Sequence, residues 1–170
     1  MFTTATLPDR AYAAKGDNIT LEEKLTSSPA VAVVAGVSAE MGLKAFFIHA
    51  RSIDSDAFIQ YLLVLLDSSK PSEFVIFLDN CRVHHSKKVD QFLKENKIEV
   101  IFNVPYGPEY NPIERVWSML KAEFKKRKMS LILDGKAPNY EKMIREIMTN
   151  YPKEKISSVC AKTMKSKLLP

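Results

Sequence analysis

The run Phe74 to Asp79, FVIFLD, constrains the fold more than any other part of the chain. Its apolar stretch is too short for a buried helix and has the length of a strand. Because it does not alternate with polar residues, it predicts a strand covered on both faces, as in a parallel sheet. A helical pattern follows over Ser86 to Asn96, with Val89, Phe92 and Leu93 inward. A second strand-like run, Ile98 to Val104, ends at Pro105. Strand, helix, strand in this order is the unit of α/β sheets.

The flanking segments extend this picture. Val31 to Val37 and Leu43 to His49 are apolar runs joined across Glu40, Met41 and Gly42, which predicts an antiparallel hairpin. Asp54 to Asp67 places Phe58, Tyr61, Leu62, Leu65 and Leu66 on one helical face. Asn111 opens a helix with Ile113, Val116, Trp117, Leu120 and Phe124 along one side. Further helical stretches over about 139–150 and 153–167 close the chain, whereas the first 30 residues are polar and turn-rich. The expectation is one α/β domain over residues 1–170. Its core covers about 1–128, its C-terminal helices about 139–167, and its mixed sheet is flanked by helices.

Composition excludes several classes. A 170-residue chain that is 46% hydrophobic can bury a core and is not a disordered segment. Two cysteines cannot make a disulfide scaffold and suggest a reducing, intracellular setting. No window approaches about 18 unbroken apolar residues, so no membrane helix is expected, and the N-terminus does not read as a secretory signal. The net charge of +5 permits a polyanionic partner without requiring one.

Asp79 follows directly on a buried strand, where open α/β sheets hold their ligands, although Asp-Asn is also ordinary turn chemistry. Glu114 lies three residues after Asn111 and two after Pro112, the pattern of a capping box; read alone, it is a helix cap. His84, His85 and Cys81 lie near Asp79 without a zinc-ligand spacing or a nucleophile motif. There is no glycine-rich phosphate loop and no CxxC. Lys121, Lys125 and Lys128 are spaced to share one side of a helix, where they are either solvated cations or contacts to DNA phosphates.

Two segments resemble a known family. VIFLDNCRVHHSKKVDQFL, residues 75–93, resembles the second catalytic segment of mariner-like cut-and-paste transposases. PYGPEYNPIERVWSMLK, residues 105–121, resembles the third, whose pattern is roughly Pro-Tyr-Ser-Pro-x-x-Asn-Pro-Ile-Glu-x-x-Trp; Gly107 stands where the family has Ser. Thirty-four residues separate Asp79 from Glu114, a spacing typical of one large branch. RAYAAKG, residues 10–16, is similar to the segment that follows the family's first catalytic strand.

The resemblance implies a ribonuclease H-like fold and a triad of acids holding two divalent metals, Mg2+ or Mn2+. Its chemistry is hydrolysis at transposon ends and joining of the 3′-hydroxyl to target DNA. It assigns Asp79 and Glu114 as the second and third acids, catalytic and metal-binding, with Asn80, His84 and Asn111 in supporting roles. It thereby revises the capping reading of Glu114, since Asn111 can cap the helix unaided. It also implies DNA as partner, a homodimer, and a nuclear location in a eukaryotic host.

The family's first acid sits in an Asp-Glu pair before the RAYAAKG-like segment, and none precedes it here. Asp9 lies beside Pro8, and Asp54 and Asp56 fall in a helix-starting segment where the family keeps no catalytic acid. The expectation is therefore a catalytic domain with its first strand largely missing and no end-reading helix-turn-helix module. Its alternative is an inactive DNA-binding or interaction remnant.

Overall fold

The computed structural model describes residues 31–50, 52–137 and 139–167. The expected hairpin is present as β1 (Ala32–Ser38) and β2 (Gly42–His49), antiparallel, with a register shift between Gly36 and Val37. Gly42 closes the turn at φ 66°, a left-handed conformation that a Cβ would penalise. Helix α1 (Ser55–Ser68) is capped by Asp54, whose carboxylate accepts from the Ala57 N–H at 2.8 Å. It buries Phe58, Tyr61, Leu62 and Leu65, as its periodicity predicts.

After a 3₁₀ turn at Pro71–Glu73 come β3 (Val75–Leu78), α2 (Lys87–Glu95, capped by Ser86) and β4 (Glu99–Phe102). β3 and β4 pair in parallel, with Val75 opposite Glu99 and Leu78 opposite Phe102. The expectation that β3 is covered on both faces is not met. Val75 is 49% exposed and Leu78 alone is buried. An apolar run this short does not reveal how many layers cover it; α1 and α2 pack on one side, through Ile76, Leu78 and Val100. Among the described residues the four strands form two separate two-stranded sheets.

A second 3₁₀ turn, Pro108–Tyr110, leads into α3 (Pro112–Leu133), followed by α4 (Tyr140–Asn150) and α5 (Lys153–Lys167). The hairpin separates two hydrophobic clusters, and the two-residue period of its strands assigns its side chains. Val33, Phe46 and Ile48 pack with α3, α4 and α5, against Leu120, Phe124 and Ile156. Val34, Ala45 and Phe47 pack with Phe58, Leu62 and Val89. Each fully buried side chain of this size contributes roughly 1.5–3 kcal/mol. No described helix is long and apolar enough to cross a membrane.

Candidate active site

Asp79 follows the last residue of β3, and the β3–β4 pairing continues past it through the Asn103 N–H to Leu78 carbonyl bond of 2.7 Å. Its carboxylate uses one oxygen for the protein. Oδ1 accepts from the Cys81 N–H at 3.1 Å and stands 2.9 Å from His84 Nδ1. The His84 ring packs on Phe58 at 4.5 Å between centroids, which holds the imidazole in place. The hydrogen bond from His84, aided by the Cys81 N–H, keeps the Asp79 carboxyl below its ordinary pKa against the opposing effect of partial burial. Oδ2 has no partner among the described residues, and the side chain is 51% exposed.

The neighbouring side chains tie this strand end to the next loop. Asn80 Nδ2 donates to the Asn103 carbonyl at 2.6 Å, and Asn80 Oδ1 lies 3.3 Å from His85 Nε2. The His85 ring stacks on Phe102 at 4.3 Å.

Glu114 is in the first turn of α3, as expected. The capping box that its spacing allows does not form. The Asn111 N–H, which such a glutamate would accept from, already donates to the Pro108 carbonyl at 3.0 Å. The buried Asn111 side chain accepts from the Ile113 N–H at 3.3 Å and caps the helix unaided. Glu114 is left exposed and without a partner among the described residues.

The three lysines divide. Lys121 is exposed, Lys125 is half-buried, and neither has an ion-pair partner among the described residues. Lys128 is fully buried, with its ammonium 5.4 Å from the centre of the Tyr140 ring. It therefore leaves the set of candidate DNA contacts. Val116, Leu120, Phe124 and Lys128 follow one another at intervals of four, so Lys128 continues the apolar ridge of α3. Lys121 and Lys125 instead follow Glu114 by seven and eleven residues, on the exposed side.

The other acids considered in the sequence have separate roles or positions. Asp54 caps α1, and Asp56 pairs with Lys88 at 2.8 Å. Asp9 and the RAYAAKG segment lie outside the described residues. Among the described residues no three His, Cys, Asp or Glu side chains come together as a metal cage. The donors present still suit magnesium, which binds through one or two carboxylates and keeps several waters or substrate phosphates. Asp79 Oδ2 and the Glu114 carboxylate are hard oxygen donors with no Lys or Arg ion-pair partner among the described residues.

Residues 1–134 match the family described as DDE superfamily endonuclease. The chain belongs to that family. Among solved structures it is similar to the Mos1 transposase paired-end complex with left transposon end, with a TM-score of 0.69 and 13% identity over 94% of this chain and 49% of that one. It is also similar to the Mos1 transposase catalytic domain solved with raltegravir and Mg, with a TM-score of 0.52 and 16% identity over 76% of this chain and 69% of that one. The chain thus spans about half the length of the Mos1 chain in the paired-end complex. At these identities the likeness establishes a shared fold, in line with the expected mixed sheet flanked by helices. No curated protein matches the chain in sequence.

Two contributors to the site escaped sequence reasoning. Asn103 is buried, and its side chain donates to the Gly107 carbonyl at 2.6 Å. Gly107 has no room for a Cβ, which would lie 2.6 Å from Val104 Cγ2 and 2.7 Å from Tyr110 Cδ2. The available signal was a lone polar residue, Asn103, inside the apolar run Ile98 to Val104.

Proposed function

We propose that residues 1–170 act as one mariner-like transposase catalytic domain, with Asp79 and Glu114 as the second and third metal-holding acids for phosphoryl transfer on DNA. One observation carries this reading. Both carboxylates present unpartnered oxygens while other groups perform the local structural work: Oδ1 alone serves the Asp79 loop, and Asn111 caps α3. Bound Mg2+ or Mn2+ would supply Lewis acidity and an activated nucleophile. Asp79 contributes Oδ2, oriented by His84 and the Cys81 N–H. Glu114 contributes its carboxylate from a rigid helix start. Lys121 and Lys125 bind DNA phosphates along the same exposed side of α3. A homodimer on transposon ends, in the nucleus of a eukaryotic host, follows by family analogy.

On this reading, joining of DNA requires a third acid, and among the described residues no three His, Cys, Asp or Glu side chains come together. A two-ion site needs a third carboxylate, and small misplacements of reacting groups already cost about a hundredfold in rate. The test is a strand-transfer assay with pre-cut transposon ends in Mg2+ and in Mn2+. It compares this chain with one extended upstream to supply an Asp-Glu pair. Joining by the extended chain alone, lost in D79N and E114Q, is the expected result. Robust joining by the 170-residue chain would show that an acid outside the described residues supplies the third ligand. Salt-sensitive DNA binding without joining by either chain would favour the second reading, an inactive DNA-binding remnant. That no three such ligands come together among the described residues is the observation behind that alternative.

A further inference from the structure

We infer that Asn103 is the positioning residue that fixes Glu114 relative to Asp79; this rests on the reading that the two acids share a metal site. Asn103 makes three hydrogen bonds while only 8% exposed. Its N–H donates to the Leu78 carbonyl at 2.7 Å, and its carbonyl accepts from Asn80 Nδ2 at 2.6 Å. Leu78 and Asn80 are the residues on either side of Asp79, so both backbone groups of Asn103 are pinned to the strand end that presents Asp79. The side chain reaches the other way, from Nδ2 to the Gly107 carbonyl at 2.6 Å.

Gly107 begins the path to Glu114. The Tyr110 N–H donates to the Gly107 carbonyl at 3.2 Å, the Asn111 N–H to Pro108 at 3.0 Å, and the Glu114 N–H to the Asn111 carbonyl at 3.2 Å. Each bond places the next turn, and the last places the start of α3. In sequence the acids are 35 positions apart, whereas through Asn103 they are joined by a few short hydrogen bonds.

The loop that Asn103 spans needs such a restraint. Tyr106 holds φ 59°, a left-handed conformation that is uncommon and costly for a side chain of this size, and its ring is fully exposed, so packing does not hold it there. The Gly107 N–H to Val104 carbonyl bond is long at 3.3 Å. The buried Asn103 amide closes the same loop with a short bond in a site of low solvent access, where a hydrogen bond is strongest.

The geometry makes the two halves of this link separable. Backbone groups hold the Asp79 side and survive any substitution at 103. The side-chain amide holds the Glu114 side and is removable. Asn103→Leu keeps the branched outline and deletes the donor. Asn103→Asp keeps the shape and turns an acceptor toward the Gly107 carbonyl.

The test is Mn2+ titration of the full chain, read by paramagnetic broadening of backbone amide resonances. In the native chain the amides of Cys81 and Arg115 should broaden with one common midpoint. In N103L and N103D the midpoints should separate, with Arg115 requiring about tenfold more Mn2+ or beyond, the loss typical when a group that orients a ligand is removed. Midpoints that move together would report general destabilisation and overturn the inference. The inference is overturned if either folded variant keeps the common native midpoint, or if neither variant folds, which would make Asn103 a plain structural residue. Absence of joint broadening in the native chain would overturn the acid-pair reading itself, and this inference with it.

Discussion

His84 Nδ1 stands 2.9 Å from Asp79 Oδ1 and 3.1 Å from the carbonyl oxygen of the same residue. Both oxygens are acceptors toward the ring, so the imidazole proton sits on Nδ1. The histidine then donates to backbone and carboxylate together and fixes the carboxylate rotamer.

Replacing His84 with Ala should raise the Asp79 pKa toward its ordinary value, because the largest lowering contribution is removed while partial burial remains. A carboxylate with a depressed folded pKa adds stability above its unfolded pKa and loses that stability as pH falls through the folded value. The native chain should therefore exceed His84→Ala in stability most above about pH 5, with the gap closing in acid. Carbon-13 titration of the Asp79 carboxyl checks this. An unchanged midpoint would assign the depression to the Cys81 N–H.

Asn111 and Glu114 should respond oppositely in stability and in metal binding. Asn111→Ala should cost about 1 kcal/mol in urea unfolding, the usual worth of a helix cap. Glu114→Gln should leave unfolding within about 0.5 kcal/mol of native, as expected for an exposed substitution, yet abolish Mn2+ broadening at Arg115. A large stability loss in Glu114→Gln would restore its capping role.

The lysines offer a sharper contrast. The double variant K121A/K125A should reduce the salt slope of DNA binding by about two, one per phosphate contact, in fluorescence anisotropy. Lys128→Ala should leave that slope unchanged and cost about 2 kcal/mol or more, since a fully buried stem is lost from the α3 ridge. A slope change in Lys128→Ala would mean that the helix opens on DNA.

Gly107→Ser restores the residue the resemblance predicts and should nevertheless be harmful. The new Cβ would press on Val104 and Tyr110, and overpacking of this kind costs about 1–3 kcal/mol. Thermal unfolding of the variant measures it, and a neutral result would show that the Val104 side chain yields freely.

Much of the fold was legible because the helices announce themselves twice, by apolar period and by cap. Asp54, Ser86, Asn111 and Asn139 each accept a backbone N–H at a helix start; three of the helices that follow match the expected spans closely, and α3 starts where expected and runs on to Leu133. The strand-end placement of Asp79 and the helix-start placement of Glu114 were legible, whereas placement alone read Glu114 as a cap and only the resemblance offered it as an acid. The coverage of β3 was not, since it depends on which elements pack over it. Lys128 was misread because a charge was weighed by type while its four-residue spacing from Phe124 already placed it on the core side. Asn103 and Gly107 act through tertiary contacts that only the folded loop defines.

The hairpin wall between the two hydrophobic clusters has a consequence for energetics. Asp79 hangs from the cluster built on α1, α2 and β3, while Glu114 begins the helix that anchors the other. An ion that touches both acids clamps two separately packed bodies, and part of its binding free energy is a docking free energy. By mass action, such an ion at a hundred times its dissociation constant adds about 2.7 kcal/mol to stability. The melting temperature of the native chain against those of D79N and E114Q would then read the meeting of the acids, without DNA and without turnover.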